Sequence, residues 1–340
     1  MTDDLHLGVA LNGHGWHTRT PVTDGKYWTD VVTTAERGLL DFVTFDDALS
    51  RGPDAVLTAA RVAPATRHIG LIPVAGTTHT EPFHVSTAIA TLDFVSHGRA
   101  GWQPRVSGSH RDAELFGRRD PDALGDLFAE AADVVEVVRR LWDSWEDDAV
   151  IRDVDSGRFI DRDKLHYIDF EGAHFSVKGP SITPRPPQGQ PVVAALAHTP
   201  EVYAFAARSA DVVFVTPADT RAVPGILEEV AQAGGEHLKV WADLYVTFDG
   251  LIDEKSDAAV FYGSPAELAD RIAEWHRLGV HGVRLRPAVH RTDLPVIVDE
   301  VVPILQQRTA LRTNYQIGET LRERLGLGVA VNRYSSVSVS

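Results

Sequence analysis

The feature that most constrains this chain is a rhythm: short apolar runs alternate with amphipathic stretches eight times along its 340 residues. Apolar runs of strand length separated by helix-period segments predict βα units, because parallel strands need a crossover and a helix is the usual one. The expected strands are Leu5 to Leu11, Asp41 to Phe45, His68 to Ala75, Ala100 to Val106, Pro191 to Leu196, Asp211 to Val215, Val240 to Phe248 and Gly282 to Arg286. The expected helices are Tyr27 to Leu39, Asp54 to Ala63, Pro82 to Val95, Asp122 to Trp142, Glu201 to Arg208, Val223 to Ala233, Pro265 to Leu278 and Leu294 to Gln307. Ser264 suits the N-cap of the Pro265 helix, and Gly279 suits its C′ position. No G-x-G-x-x-G turn follows the first strand, where Asn12-Gly-His-Gly15 stands instead. Eight such units without that turn favour a closed α/β barrel, the (β/α)8 TIM barrel, over a doubly wound nucleotide fold.

One stretch breaks the rhythm. Residues 143–190 open acidic, carry a candidate hairpin (LHYIDFEGAHFSV) and leave through a proline-rich exit. They read as a long insertion between strands four and five. The barrel domain is thus expected over 1–310, with a polar C-terminal extension over 311–340 that frays at YSSVSVS.

Composition narrows the chemistry. Hydrophobic residues make up 44%, enough for a sizeable core, and charged residues 24%. A net charge of −15 repels phosphate backbones, so no nucleic-acid partner is expected. There is no cysteine, which excludes disulfides, thiolate nucleophiles and cysteine-held metals. The acidic N-terminus and the lack of a long apolar run predict no membrane association and a cytoplasmic location.

Barrel active sites lie at the C-terminal ends of the strands. The residues expected there are Asn12, His14, Trp16 and His17; Asp46 and Asp47; Thr77, Thr78 and His79; Arg105, Ser107, Ser109 and His110; His198 and Thr199; and Arg286 and His290. A metal held by His14, His17, Asp46, Asp47 and His198 lacks any H-E-x-x-H or compact carboxylate cluster, so none is expected. Ser107, Ser109, His110 and Asp112 are neighbours in sequence without a G-x-S-x-G elbow, so a hydrolytic triad is poorly supported. Arg105 at a strand end, and Thr199-Pro200 opening a helix, suit an anion or alternatively an ordinary surface pair and cap.

Longer stretches carry a resemblance. Glu81 to Trp102 (EPFHVSTAIATLDFVSHGRAGW) resembles a helix and strand that mark luciferase-like flavin-dependent monooxygenases, near the branch of nitrilotriacetate and dibenzothiophene-sulfone monooxygenases. Asp112 to Gly117 (DAELFG), Leu141 to Glu146 (LWDSWE), Ser156 to Phe159 (SGRF), Arg185 to Pro191 (RPPQGQP), Thr320 to Gly326 (TLRERLG) and Asn332 to Tyr334 (NRY) are similar to the same branch. So are parts of the insertion, at Lys164 to His166 and His174 to Val177, and Val301 to Gln306.

The resemblance implies an enzyme that uses reduced FMN, supplied by a separate NAD(P)H:flavin reductase, and O2 to oxygenate a small organic substrate. It also implies a homodimer. By position, Asp47 matches an acidic residue after strand two, and Thr77 and Thr78 match polar residues near the flavin ring. Gln103 stands where the branch has asparagine. Arg105 stands where bacterial luciferase has a phosphate-contacting arginine. After strand five the branch has Ala-Gly-Ser-Ser, whereas this chain has Leu196-Ala-His198-Thr199, so Arg105 with His198 and Thr199 would replace the missing donors. The general base is left among His79, His17 and His110, with His79 preferred for its place after strand three. Trp16, His17, Phe83, Trp102 and Tyr203 are candidates for an aromatic pocket. Insertion 143–190 is a candidate cover. Two other readings stay open: a deazaflavin-dependent oxidoreductase of the same fold, and a catalytically silent homologue or binding subunit.

Overall fold

Apolar runs that alternate with helices can close into a ring only if the first and last strands meet, and here they do. A computed structural model of the chain describes residues 4–49, 51–117, 124–308 and 311–335. The strands are β1 (His6–Leu11), β2 (Phe42–Phe45), β3 (Gly70–Gly76), β4 (Gly101–Arg105), the insertion strands β5 (Val150–Asp153), β6 (Arg158–Ile160), β7 (Phe170–Glu171) and β8 (Ser176–Val177), then β9 (Val192–Leu196), β10 (Val212–Val215), β11 (Lys239–Thr247), β12 (Ala259–Tyr262) and β13 (Gly282–Pro287). β1, β2, β3, β4, β9, β10, β11 and β13 pair in that order, all parallel, and β13 returns to β1 with His6 opposite Gly282. This is the closed eight-stranded barrel expected from the sequence. β12 was not expected; it pairs with the outer end of β11 beyond the point where β10 stops.

The helices are α1 (Gly25–Arg37), α2 (Ala55–Val62), α3 (Pro82–Ser96), α4 (His110–Phe116), α5 (Leu124–Asp143), α6 (Pro200–Ser209), α7 (Val223–Gln232), α8 (Pro265–Arg277), α9 (His290–Val296), α10 (Val302–Arg308) and α11 (Leu321–Arg324). The expected start of the fifth, at Asp122, lies outside the described residues. Ser264 caps α8 in a full capping box with Glu267, which satisfies two of its free amides. The expected helix over Leu294 to Gln307 begins earlier, at His290, and widens to a π turn over Ile297–Val301. Pro295 and Pro303 withhold backbone donors on either side of that turn, so the usual ladder does not continue unbroken. No helix among the described residues is long and apolar enough to cross a membrane.

Two packing features position the site. Inside the barrel, Phe42, Phe214 and Trp241 fill the lower layer, and this needs glycine opposite. A Cβ at Gly8 would stand 2.6 Å from the Phe42 ring, and one at Gly282 would stand 2.8 Å from Trp241. From below, Leu321 and Leu325 of the C-terminal segment join this same cluster and close the floor. The tail is therefore not merely polar: Leu321 is fully buried, α11 has its own capping box from Thr320 to Glu323, and only residues 336–340 fall outside the description. With the floor sealed, the open end is the C-terminal one.

The insertion packs outside the barrel. Its Ile168, Phe170, Phe175 and Val177 cover Val137 and Leu141 of α5 and Phe83 of α3. The expected hairpin exists, reduced to the two-residue strands β7 and β8.

Candidate active site

The mouth of the barrel is built from strand ends that hold one another. At β4, Arg105 pairs with Asp46 and with the carbonyl of Asp47, both after β2. Asn12, after β1, donates to Asp46 at 2.8 Å. The Thr77 amide donates to the Arg105 carbonyl at 2.8 Å, and the Thr78 hydroxyl accepts the Ser107 amide at 3.0 Å. Burial pushes the Asp47 carboxyl up, against the Ala55 amide that favours its charge.

Two cavities meet here. One, of about 180 Å³, runs from Asp47 and Leu49 past Val74 and Gly76 to Thr78, Arg105 and Ser107. The other, of about 170 Å³, lies between Thr77–Pro82, Glu130 of α5 and the insertion residues His174 and Phe175. Thr78, His79 and Thr80 line both. The tip of the β7–β8 hairpin thus forms one wall at the mouth. Gly76 leaves room: a Cβ there would find its nearest neighbour 3.8 Å away.

The structure brings Asp47, Thr77, Thr78, His79 and Arg105 together. Gln103 is placed elsewhere: buried inside the barrel, its side-chain oxygen accepts from Arg284 at 3.0 Å. The three candidate histidines stand in separate settings. His79 is buried and stacked on Phe116 at 4.9 Å, His17 is exposed on the β1 loop, and His110 is exposed as the first residue of α4. Ser107 donates to Asp112 at 2.7 Å and Ser109 caps α4, so those residues build a helix start. His198 is exposed, and its charge would act on Asp257. Thr199 and Pro200 take the N-cap and N1 positions of α6 as expected. There, however, the Glu201 carboxyl is held below the usual carboxylate range by its own amide and the Thr199 hydroxyl beside it. Of the proposed aromatic pocket, Trp102 and Tyr203 belong to the core and Phe83 packs under the insertion. Trp16 alone reaches the mouth's polar network, where Arg286 lies over its ring at 4.6 Å.

That network was largely missed by the sequence reading, which names Arg286 but not Arg284, Asp243 or Asp257. Asp243, fully buried on β11, takes Arg284 at 2.6 and 2.5 Å and Arg286 at 2.9 Å. Arg284 also reaches Thr44 at 3.3 Å and lies 3.7 Å over Phe214. Arg286 takes a second carboxylate, Asp257, at 2.5 Å. Burial lowers the Arg284 pKa. It also works against Arg286, but there Asp243 and Asp257 together outweigh it and raise the pKa. The signal was present in GVRLRP: arginines two apart on a strand share a face, and buried charges require partners.

A cleft at the C-terminal end of a closed barrel is where TIM-barrel enzymes carry their sites. The sequence profile described as "Luciferase-like monooxygenase" matches residues 6–251, and the chain belongs to that family. It is 31% identical to N-acetyl-S-(2-succino)cysteine monooxygenase of Bacillus subtilis (strain 168), with 97% of this chain and 98% of the relative covered. It is 30% identical to nitrilotriacetate monooxygenase component A of Aminobacter aminovorans, over 97% and 96%. Among solved structures, a long-chain alkane monooxygenase superposes with a TM-score of 0.87 at 22% identity, covering 96% of both chains. That last likeness concerns the fold.

Proposed function

We propose that this chain is the oxygenating component of a flavin-dependent system, using reduced FMN from a separate NAD(P)H:flavin reductase and O2 to oxygenate a small organic substrate. The observation that carries the reading is the paired cavity at the ends of β2, β3 and β4. Its wall mixes apolar Leu49, Val74 and Val106 with Thr78, Arg105 and Ser107, which suits a flat ring with polar edges. The open space over Gly76 is where such a ring would rest. When bound, reduced FMN would supply the electrons that activate oxygen; the protein's part is binding, orientation and exclusion of water.

The chain's own residues divide that work. Thr77 and Thr78 fix the β3 loop to β4, so the cavity keeps its shape. Arg105, held by Asp46 and Asp47, presents a guanidinium edge to the same space. His79 borders both cavities and is the proposed proton carrier, in preference to the exposed His17 and His110. The insertion tip, through His174 and Phe175, limits water entry. The phosphate end differs from the ring end: Glu201 draws on its own amide and the Thr199 hydroxyl at the start of α6, and His198 is the expected donor left to receive the anion. The pairing of two chains as a homodimer is part of the same proposal.

The test is an anaerobic titration of the protein with oxidised and reduced FMN, with Gly76→Leu as the control that fills the cavity. Micromolar binding of the reduced form, lost in Gly76→Leu without loss of folded structure, is the expected result. Failure of both flavin forms to bind would overturn the reading and leave the deazaflavin or silent-subunit alternatives.

A further inference from the structure

We propose that Arg286 and Arg19, flanking Trp16 at the barrel mouth, form a subsite for a substrate bearing two carboxylates, and that Asp257 and Asp253 are resident stand-ins that the substrate displaces. This rests on the reading of the mouth as the oxygenating site.

The argument begins with charge. Arg284 and Arg286 are both buried, and they share one buried carboxylate, Asp243. The remaining partners of Arg284, Gln103 and Thr44, are neutral. The barrel interior therefore carries an uncompensated positive charge unless a further acid is seated on Arg286. Asp257 fills that place, but it is unlike Asp243: its side chain is 46% exposed, while that of Arg286 is 1% exposed. A half-exposed carboxylate capping a buried guanidinium is what an anionic ligand would replace, because the planar fork accepts either carboxylate in the same two-point geometry.

The same connection repeats the arrangement. Asp253, four positions earlier between β11 and β12, pairs with Arg19 at 2.8 Å. The Arg19 guanidinium lies 5.3 Å from the centre of the Trp16 ring, and that of Arg286 lies 4.6 Å from it. One loop thus sets two aspartates on two arginines that share one indole. Trp16 is itself fixed, its ring N–H donating to the Ala10 carbonyl at 2.7 Å. Around this pair the neighbouring loop residues Leu251 and Ile252 are exposed. Two cations beside one apolar plate suit a short dicarboxylate; a neutral or monocationic compound gains nothing from them.

The experiment uses the full chain and succinate as the probe, with succinamide as the uncharged control, read by calorimetry with and without reduced FMN. Wild-type protein is expected to bind succinate weakly, since Asp253 and Asp257 compete. Asp253→Asn with Asp257→Asn is expected to tighten succinate at least about tenfold, or 1.4 kcal/mol, and to leave succinamide unchanged. Arg286→Met is expected to abolish succinate binding, and the opposite sign of the aspartate variant keeps the test decisive should Arg286→Met misfold. Unchanged or weaker succinate binding in the double variant would overturn the proposal. So would a tightening confined to FMN over riboflavin, which would make the subsite a phosphate seat. Succinate binding without any flavin binding would instead refute the oxygenase reading and leave the dicarboxylate subsite standing.

Discussion

His290 offers a test of the packing behind the mouth. It opens α9 immediately after β13, with 1% of its surface exposed. Its Nδ1 faces the Tyr27 hydroxyl at 3.2 Å, and its Nε2 has no hydrogen-bond partner among the described residues. A charged imidazolium there would lose its hydration with nothing to replace it. Burial, helped by the nearby His14, therefore lowers the pKa to about 3 from an ordinary 6.5. The sign of the consequence is fixed. Below 6.5 the unfolded chain takes up a proton that the folded chain refuses until about pH 3, so stability falls as pH falls through that window and is level above it. The loss is about 1.4 kcal/mol per pH unit below 6.5, or about 2 kcal/mol at about pH 5. Urea denaturation followed by tryptophan fluorescence at about pH 8 and about pH 5 would measure it in wild type and in His290→Gln. All other titrations are common to both proteins. The expected result is an acid-induced loss smaller by about 2 kcal/mol in the variant. Equal losses in the two proteins would show that His290 protonates freely in the fold, and the reasoning from burial would be refuted.

Two further outcomes are expected. Asp243→Asn leaves two buried guanidinium groups short of a carboxylate and should cost about 3–5 kcal/mol in urea denaturation; replacing Asp243 and Arg284 together by apolar residues of similar volume should recover much of that loss. Glu201→Gln removes the negative charge from the first turn of α6, so FMN should bind severalfold more tightly while riboflavin, which lacks the phosphate, binds as before.

The barrel was legible because its signals are local. Whether a run such as Val240 to Phe248 forms a strand, or whether Ser264 and Glu267 start a helix, is decided within a few residues, by which side chains must leave water and which amides need a partner. Eight repeats of such decisions leave few closed arrangements. The elements overlooked were short or weakly patterned: α4, β5, β6 and β12. α11 did carry a readable Thr320-x-x-Glu323 box.

The site was legible in its parts. Asp47, Thr77, Thr78 and Arg105 could be placed because strand ends of a barrel converge whatever the sequence between them. Pairing could not be read in the same way. Asp243 meets Arg284 across 41 positions, Asp257 meets Arg286 across 29, and Asp253 meets Arg19 across 234. By itself, then, the sequence determined the strands, their helices and the end of the barrel at which the candidate site lies, since burial acts residue by residue along the chain. Only the tertiary structure decided which charges neutralise one another. An ion pair depends on distance and desolvation in three dimensions, and both are set by the register at which the barrel closes.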